Sequence, residues 1–196
     1  MHKDWIQTFT GLKVRPLTPP KLFDVRDIAR ALSMQCRYAG HVSRFYSVAE
    51  HSCHVTDIVA SRRQKCCPIC VGRCEVLPKW ALMHDAAEAF LGDVTRPLKH
   101  TPDLTGYRLA EQKMQLAITS WLKLPPLEPK LVSSVDKELL GTEAAQLKYP
   151  IHKDWTKTVP GGLPPPIPGF RRMGWTPARA EREFLARFHR LFPNQR

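Results

Sequence analysis

The chain has 196 residues, of which 43% are hydrophobic, and this length and composition suffice for one globular domain with a single core. No apolar run approaches the roughly 18 residues of a membrane-spanning helix, and the N-terminus lacks a signal-peptide core, so we expect a cytoplasmic protein. The formal net charge of +12 predicts an anionic partner such as a nucleotide, a nucleic acid or lipid headgroups. Composition alone does not choose among these partners.

Helical periodicity recurs along the chain and strand signals are scarce, so the sequence predicts an all-α helical bundle. An irregular, proline-rich N-terminal arm precedes the first helix, and a Pro/Gly-rich loop at 160–169 precedes the last one. Thr176 and Pro177 are typical of a helix start, and the apolar stripe that follows predicts a helix docked on the core. The predicted helices cover about residues 25–36, 47–62, 78–91, 103–123, 128–148 and 177–192.

Four of the six cysteines crowd the segment 64–76. In a chain that we expect to be cytoplasmic, reduced thiols or a metal site are favoured over disulfides. Cys67 and Cys70 form a C-x-x-C pair and, with Cys74, could supply ligands to a structural zinc ion. The chain has no second C-x-x-C pair, however, so the alternative is a surface insertion with free thiols.

Titratable residues occupy core positions in three predicted helices. His51 and Asp136 each lie mid-stripe on an apolar helix face, while His84 and Asp85 interrupt an apolar run. A buried carboxylate needs an ion pair, a dense set of hydrogen bonds or a metal, and Arg and Lys are absent from 81–95. Two imidazoles and two carboxylates are a normal ligand set for a divalent transition metal. The alternative is that each residue is satisfied separately, as a core histidine or a helix cap.

Two further carboxylates accompany these residues. Glu88 lies one turn after His84, where a carboxylate beside a metal centre could accept a proton from water or donate one to a leaving group. Its alternative role is a structural salt bridge. Asp93 begins a loop that also carries Arg96 and Lys99, and such a loop could hold a sugar hydroxyl and phosphate oxygens or could simply be a solvated turn.

The order His51, then the adjacent pair His84 and Asp85, then Asp136 resembles the H…HD…D pattern of the HD-domain phosphohydrolases. The surrounding sequence is similar to one branch of that superfamily, the small bacterial 5′-deoxynucleotidases and phage dATP triphosphohydrolases. The stretches that carry the likeness are CRYAGHVSRFYSVAEHS, ALMHDAAEAFLGDVTRPLKH, VDKELLGTEA and GWTPARAEREFLARF. The likeness covers nearly the whole chain and leaves out only the cysteine segment 64–76. This segment is then interpreted as an insertion that contains no motif residue.

The resemblance implies an HD-domain helical bundle in which those two histidines and two aspartates bind one divalent metal, either Zn, Co, Mn or Mg. It also implies that Glu88 is the acid/base and that Asp93 lies near the substrate. Arg37, in the stretch CRYAG, is implied to hold phosphate, a role that suits the fork-like guanidinium group.

We therefore expect one domain, residues 1–196, that hydrolyses a phosphoester bond of a deoxynucleotide. A dNTP triphosphohydrolase that releases triphosphate is favoured, because Arg44, Arg96, Lys99 and His100 near the motifs offer cations for additional phosphates. The phage resemblance alone favours dATP as its substrate. The alternative is a 5′-deoxynucleotidase that acts on dNMPs.

A basic nucleic-acid-binding protein with a structural metal is the alternative from another class. The chain has no recognised nucleic-acid-reading motif, so stable nucleic-acid binding is not expected. We also expect a homo-oligomer, without a membrane partner, in the cytoplasm of a bacterium or of a phage-infected host.

Overall fold

The computed structural model describes residues 4–63, 71–148, 150–155 and 162–195. Helices dominate this part of the chain, which confirms the predicted all-α class. Two 3₁₀ turns lie at Arg37–Gly40 and Pro102–Leu104. The α-helices are α1 (Val25–Met34), α2 (Val48–Arg63), α3 (Val71–Met83), α4 (Glu88–Leu91), α5 (Arg96–Lys99), α6 (Thr105–Trp121), α7 (Lys130–Leu147) and α8 (Pro177–Leu191).

The N-terminal arm carries a small antiparallel hairpin of β1 (Ile6–Gln7) and β2 (Lys13–Val14). We did not predict it, because strands of two residues leave no alternating pattern to recognise. Asp27 of α1 accepts hydrogen bonds from the backbone N–H of Thr10 at 2.7 Å and from its hydroxyl at 2.8 Å. The arm is therefore fixed to α1.

Helix α2 lies at the centre of the bundle and packs against α1, α3, α7 and α8. Val48, Val55 and Val59 on this helix are fully buried, and so is His51. The most central helix thus carries a polar side chain into the interior, as its periodicity predicted. No helix within the described ranges is both long and apolar enough to cross a membrane.

The prediction of one continuous helix over 78–91 is wrong. Helix α3 begins earlier, at Val71, and keeps Pro78 in its interior, where a proline sacrifices one main-chain hydrogen bond. It ends at Met83, and residues 84–87 form turns before α4.

The break after α3 has a specific cause in α6. In a continuous helix, the carbonyl of Met83 would accept from the N–H of Ala87. The side-chain amide of Gln115 replaces this bond: its Nε2 donates to the Met83 carbonyl at 2.8 Å, and its Oε1 accepts from the Ala87 N–H at 3.2 Å. An inserted side chain is a common cause of helix distortion. Residues 84–87 form tighter turns instead, in which the N–H of Ala86 donates to the carbonyl of Met83 at 3.1 Å and the N–H of Glu88 donates to the carbonyl of Asp85 at 3.0 Å.

Helix α8 has the start that the sequence predicts. The hydroxyl of Thr176 accepts from the backbone N–H of Arg179 at 3.3 Å, and Pro177 follows as the first helical residue. Its stripe includes Phe184 and Phe188, which are both buried in the core. The predicted Pro/Gly-rich loop is non-helical where the structure describes it, from residue 162 onward.

The arm that leads into α8 is fixed to α2 by Glu50, which is fully buried. The two carboxylate oxygens accept from the backbone N–H groups of Gly174 and Trp175, each at 2.8 Å. His54, one turn further along α2, lies 3.3 Å from the same carboxylate, and Arg171 donates to its other ring nitrogen at 3.2 Å. We refer to these five residues as the C-terminal anchor.

Candidate metal centre

The four predicted ligands come from three parts of the fold: one ligand atom each of His51, His84 and Asp85 lie within 4.8 Å of one another, and Asp136 adjoins this group through His51. His51 projects from α2, His84 and Asp85 lie in the turn after α3, and Asp136 projects from α7. Nε2 of His51 lies 3.2 Å from Nε2 of His84, 3.8 Å from Oδ2 of Asp85 and 3.1 Å from Oδ1 of Asp136. Nε2 of His84 lies 3.3 Å from Oδ2 of Asp85. We call these four residues the metal cluster.

The hydrogen bonds of the two rings define which nitrogen carries the proton. Nδ1 of His51 lies 2.6 Å from a carboxylate oxygen of Glu143, and Nδ1 of His84 lies 2.8 Å from the carbonyl oxygen of Ala81. Both partners are acceptors, so both Nδ1 atoms must donate. A neutral imidazole has only one N–H, so each Nε2 keeps a lone pair. Two imidazole lone pairs and two carboxylates therefore converge, and they need a cation between them.

These residues fit a divalent metal. Ligand atoms held about 2 Å from one ion are about 3.3 Å apart in a tetrahedral arrangement. The distances from Nε2 of His51 to the other three ligand atoms, and the distance between His84 and Asp85, run from 3.1 to 3.8 Å. Nitrogen and carboxylate donors together suit zinc and other first-row transition metals.

His84 and Asp85 each stabilise the charged form of the other. Burial opposes protonation of His84, but the adjacent Asp85 carboxylate outweighs this effect and raises the pKa of His84 to about 10. Burial also opposes ionisation of Asp85, yet His84 and the cations around it bring the pKa of Asp85 below its ordinary value. The cluster therefore attracts positive charge strongly, and protons and a metal ion compete for the same lone pairs.

Arg37 lies directly beside the metal cluster. It donates to Oδ2 of Asp85 at 3.2 Å, it lies 3.8 Å from Glu143, and its side chain is only 15% exposed. Its Nε is buried and has no hydrogen-bond partner among the described residues. Most buried donors have a partner, so this nitrogen is an unfilled hydrogen-bond position beside the cluster.

The residues after Arg37 adopt an unusual backbone. Tyr38 (φ 59°), Ala39 (φ 52°) and Gly40 (φ 78°) are all left-handed, and each non-glycine residue in that region costs on the order of 1–3 kcal/mol. The Tyr38 hydroxyl donates to a carboxylate oxygen of Glu143, and the ammonium of Lys148 lies 4.5 Å from its ring centroid. These contacts hold the left-handed turn against the cluster.

Glu88 is the first residue of α4 and is almost fully buried. One oxygen, Oε1, accepts from Lys99 at 3.2 Å, while Oε2 is buried without a partner in the described part of the chain. Burial and the nearby charges of Asp85 and Asp93 raise the pKa of Glu88 well above its ordinary value, and Lys99 opposes this shift. A carboxyl group in these surroundings retains its proton more readily than an ordinary glutamate.

Asp93 is held close to Glu88 by Gln35. The side-chain amide of Gln35 donates to the carbonyl of Glu88 at 3.0 Å and accepts from the N–H of Asp93 at 3.0 Å. Burial raises the pKa of Asp93 and the charge of Arg37 lowers it, so the carboxyl group is within electrostatic reach of the cluster.

A family model described as an HD domain matches residues 30–138, which is more than half of the chain. The chain belongs to the HD domain family. It is 33% identical to the uncharacterised protein YfdR of Escherichia coli over 167 residues, which cover 85% of this chain and 83% of the relative. It is 29% identical to an uncharacterised protein of Rhodobacter capsulatus over 157 residues, 75% of this chain and 74% of the relative. Membership of the HD domain family points to a metal-dependent phosphohydrolase, in agreement with the cluster.

Lys99, predicted to bind substrate, has protein partners in this HD domain. Its ammonium group lies 3.2 Å from Oε1 of Glu88 and 2.7 Å from Oε1 of Glu111, and burial of the side chain leaves it 19% exposed. The two carboxylates stabilise its charge, so its contribution to phosphate binding stays a prediction.

The other predicted cations lie in different surroundings. Arg96 is the first residue of α5, His100 follows the helix, and both are exposed. The side chain of Arg44 packs against the backbone of Gly174. A Cβ atom added to Gly174 would lie only 2.6 Å from Cδ of Arg44. No hydrogen bond or ion pair joins these three side chains to the metal cluster within the described ranges. Their substrate contacts also stay predictions.

The predicted structural zinc site falls largely outside the described residues, which do not include Cys67 and Cys70. Cys74 is described and lies in α3, partly buried. The cysteine site therefore stays a prediction, as do the boundaries of the single domain.

Sequence reasoning missed several residues that support the centre. Glu143 shares a helix face with Asp136, and that pattern was visible, but nothing in the sequence identified its partners. Gln35, Gln115 and Glu111 gave no signal at all, because each acts on a segment distant in sequence.

Proposed function

We propose that this HD domain is a metal-dependent phosphohydrolase of deoxynucleotides, and that it acts on dNTPs, dATP first, with release of triphosphate. The supporting observation is the convergence of two imidazole lone pairs and two carboxylates beside an arginine and a buried carboxyl group. The choice of a deoxynucleotide, and of dATP, comes from the resemblance of the sequence motifs to that branch of the superfamily.

The proposed reaction breaks one bond. The oxygen of a water molecule attacks the phosphorus that bears the 5′ oxygen, the P–O5′ bond breaks, and the leaving oxygen takes a proton. The metal cluster would hold a divalent ion, which would supply Lewis-acid chemistry at the phosphoryl group. Glu88 supplies the proton to the leaving oxygen, since its Oε2 has no partner and its surroundings favour the protonated form. The proton that the attacking water loses then restores Glu88. The guanidinium of Arg37 binds a phosphate oxygen through its unpaired Nε.

A 5′-deoxynucleotidase is the second candidate, and it would break the same P–O5′ bond. The two substrates differ in length: a dNTP carries two phosphates beyond the one that is attacked, and a dNMP carries none. A triphosphohydrolase therefore needs additional cations to neutralise those two phosphates. Lys99 is already paired with Glu88 and Glu111, which favours the monophosphate. Arg96 and His100 are exposed beside it and offer charge for two additional phosphates, which favours the triphosphate.

The deciding experiment identifies the phosphate that is released. The purified protein is incubated with each dNTP and each dNMP in the presence of Mn²⁺, Co²⁺, Zn²⁺ or Mg²⁺, and an Asp136→Ala variant serves as the control. Triphosphate from dATP supports the proposal, whereas orthophosphate from dNMPs alone supports the second candidate. A protein that binds metal yet hydrolyses no deoxynucleotide would contradict both.

A nucleic-acid-binding role with a structural metal makes a different prediction. Binding through the phosphate backbone weakens steeply as salt rises. A mobility-shift assay over a range of salt concentrations, with single- and double-stranded probes, tests this alternative. We expect no stable complex at physiological salt.

A further inference from the structure

Glu143 holds two separate parts of the site at once. Its side chain is 1% exposed, and it lies on α7. Oε1 accepts from the hydroxyl of Tyr46 at 2.9 Å and from Nδ1 of His51 at 2.6 Å. Oε2 accepts from the hydroxyl of Tyr38 and lies 3.8 Å from a terminal nitrogen of Arg37. One carboxylate therefore contacts a metal-cluster histidine and the left-handed turn.

The Oε1 side determines how His51 presents its lone pair. The ring is fully buried, and its bond to Glu143 places the proton on Nδ1 and sets the ring plane. When the second ring N–H of a metal-binding histidine donates a hydrogen bond to a carboxylate, the ring is better oriented and more basic as a ligand. The hydroxyl of Tyr46 fixes the same oxygen from a second direction.

The Oε2 side determines where Arg37 lies. Tyr38 follows Arg37 directly and has a positive φ, a conformation that persists only when surrounding contacts maintain it. Its hydroxyl bond to Glu143 is such a contact. Without it, the turn would relax and the guanidinium would lose its place beside Asp85.

A neutral amide could not replace this carboxylate. The two oxygens face three donors and one guanidinium group, and all of these require acceptors. Whichever way a glutamine amide is turned, its NH₂ group meets either the Nδ1–H of His51 or the cationic Arg37. The charge of Arg37 and the contact with His51 outweigh burial and hold the pKa of Glu143 well below its usual range.

We infer that Glu143 is a positioning residue that couples the metal cluster to the phosphate-binding turn: it fixes His51 as a donor through Nε2 and anchors the turn that carries Arg37. The inference rests on the proposed metal-dependent function. It assigns a role to a residue that lies beyond the segment matched to the HD domain family, 30–138.

The first test measures Co²⁺ affinity by calorimetry and the melting temperature of the metal-free protein. Glu143→Gln should weaken Co²⁺ binding on the order of 10- to 100-fold, the usual loss when a partner of a metal ligand is removed. Glu50→Gln is the matched control, because Glu50 is an equally buried carboxylate of the C-terminal anchor that does not contact a cluster residue among the described side chains. It should lower the melting temperature and leave Co²⁺ affinity within about threefold of wild type.

The second test separates the two carboxylate oxygens. Tyr46→Phe removes a partner of Oε1 and should weaken Co²⁺ binding, whereas Tyr38→Phe removes a partner of Oε2 and should weaken binding of inorganic triphosphate to the Co²⁺-loaded protein. Each loss should be up to about tenfold, the value of one hydrogen bond. These two variants also decide the question if Glu143→Gln does not fold.

The outcomes distinguish this inference from the proposed function. Folded Glu143→Gln protein with wild-type Co²⁺ affinity, or equal effects of both tyrosine variants on both ligands, would overturn the role of Glu143 and leave the proposed function intact. Wild-type protein that binds no Co²⁺, and hydrolyses no deoxynucleotide with any metal, would overturn both.

Discussion

The ammonium group of Lys99 holds one oxygen of Glu88 at 3.2 Å, and the other oxygen of the same carboxyl group has no partner among the described residues. The two oxygens therefore have different surroundings. Lys99 fixes the side chain in place, and Oε2 is the oxygen that we propose carries the proton.

Replacement of Glu88 by Gln should preserve metal binding and abolish most turnover. The amide keeps the size of the side chain but has no titratable proton, so the loss of acid/base help should reduce the rate on the order of 10²- to 10⁴-fold. Metal content, melting temperature and initial rate are measured on the same sample. A rate within a few-fold of wild type at normal metal content would show that hydrolysis proceeds without Glu88.

Lys99→Met distinguishes a residue that holds Glu88 from one that binds phosphate. Lys99 lowers the pKa of Glu88, so its removal should move the limb of the pH–rate profile that belongs to Glu88 to higher pH. We expect kcat to fall for dNTP and dNMP substrates alike, because Glu88 loses the ammonium group that fixes one of its oxygens. A rise in KM confined to dNTPs, with an unmoved pH profile, would instead assign Lys99 to the additional phosphates.

His51→Ala and Asp136→Ala should each lose both metal and activity, although the two residues lie on different helices. Their ligand atoms are 3.1 Å apart, and the loss of either leaves an incomplete ligand set. His54→Ala is the matched control, because this buried histidine lies one turn along the same helix and belongs to the C-terminal anchor. It should lose stability and keep its metal. Full metal occupancy in either cluster variant, by elemental analysis, would refute the four-ligand assignment.

Asp57→Asn should destabilise the fold in a pH-dependent manner. Asp57 pairs with Arg187 at 2.9 and 3.0 Å and with Arg171, and despite burial these hydrogen bonds lower its pKa. A depressed folded pKa contributes stability that is present above the unfolded value of about 3.9 and is lost as the pH falls through the folded value. At pH 7 we expect a loss of about 1–2 kcal/mol in the free energy of unfolding, since the pair is partly exposed.

Urea unfolding at pH 7 and at about pH 3 measures this difference, which should shrink at the acidic pH. Glu138→Gln provides the comparison, because Glu138 pairs with Arg62 on the surface and both side chains are 36% exposed. Its effect should stay below about 0.5 kcal/mol at either pH. Equal losses for both variants would mean that Asp57 contributes no more than an ordinary surface pair.

The parts of the centre that depend on helical periodicity could be predicted from the sequence. His51 lies mid-stripe on an apolar face, and its full burial follows from a spacing of three and four residues. Asp136 has the same spacing on α7 and faces His51, but its side chain stays 32% exposed. Long helices such as α2, α7 and α8 were predicted within a few residues for the same reason. Local pattern is sufficient where one face of one helix decides the outcome.

The parts that depend on contacts between distant segments could not be predicted. The break after Met83 is caused by Gln115, a side chain on α6 that carries no turn signal. The role of Glu143 depends on Tyr38, which lies 105 residues earlier in a left-handed turn. The sequence predicts that Lys99 binds substrate and gives no sign of its partner Glu111, because that residue is on another helix. Only the folded chain brings these groups together.

Glu50 and His51 are neighbours on α2, yet one anchors the C-terminal arm and the other belongs to the metal cluster. Removal of the chain from Gly174 onward would leave a fully buried carboxylate without its two backbone donors, one residue from a metal ligand. We therefore expect the smallest active unit to be longer than the segment matched to the family model, which ends at residue 138. We expect a truncation that keeps residues 30–138 intact but deletes α8 to yield no functional enzyme.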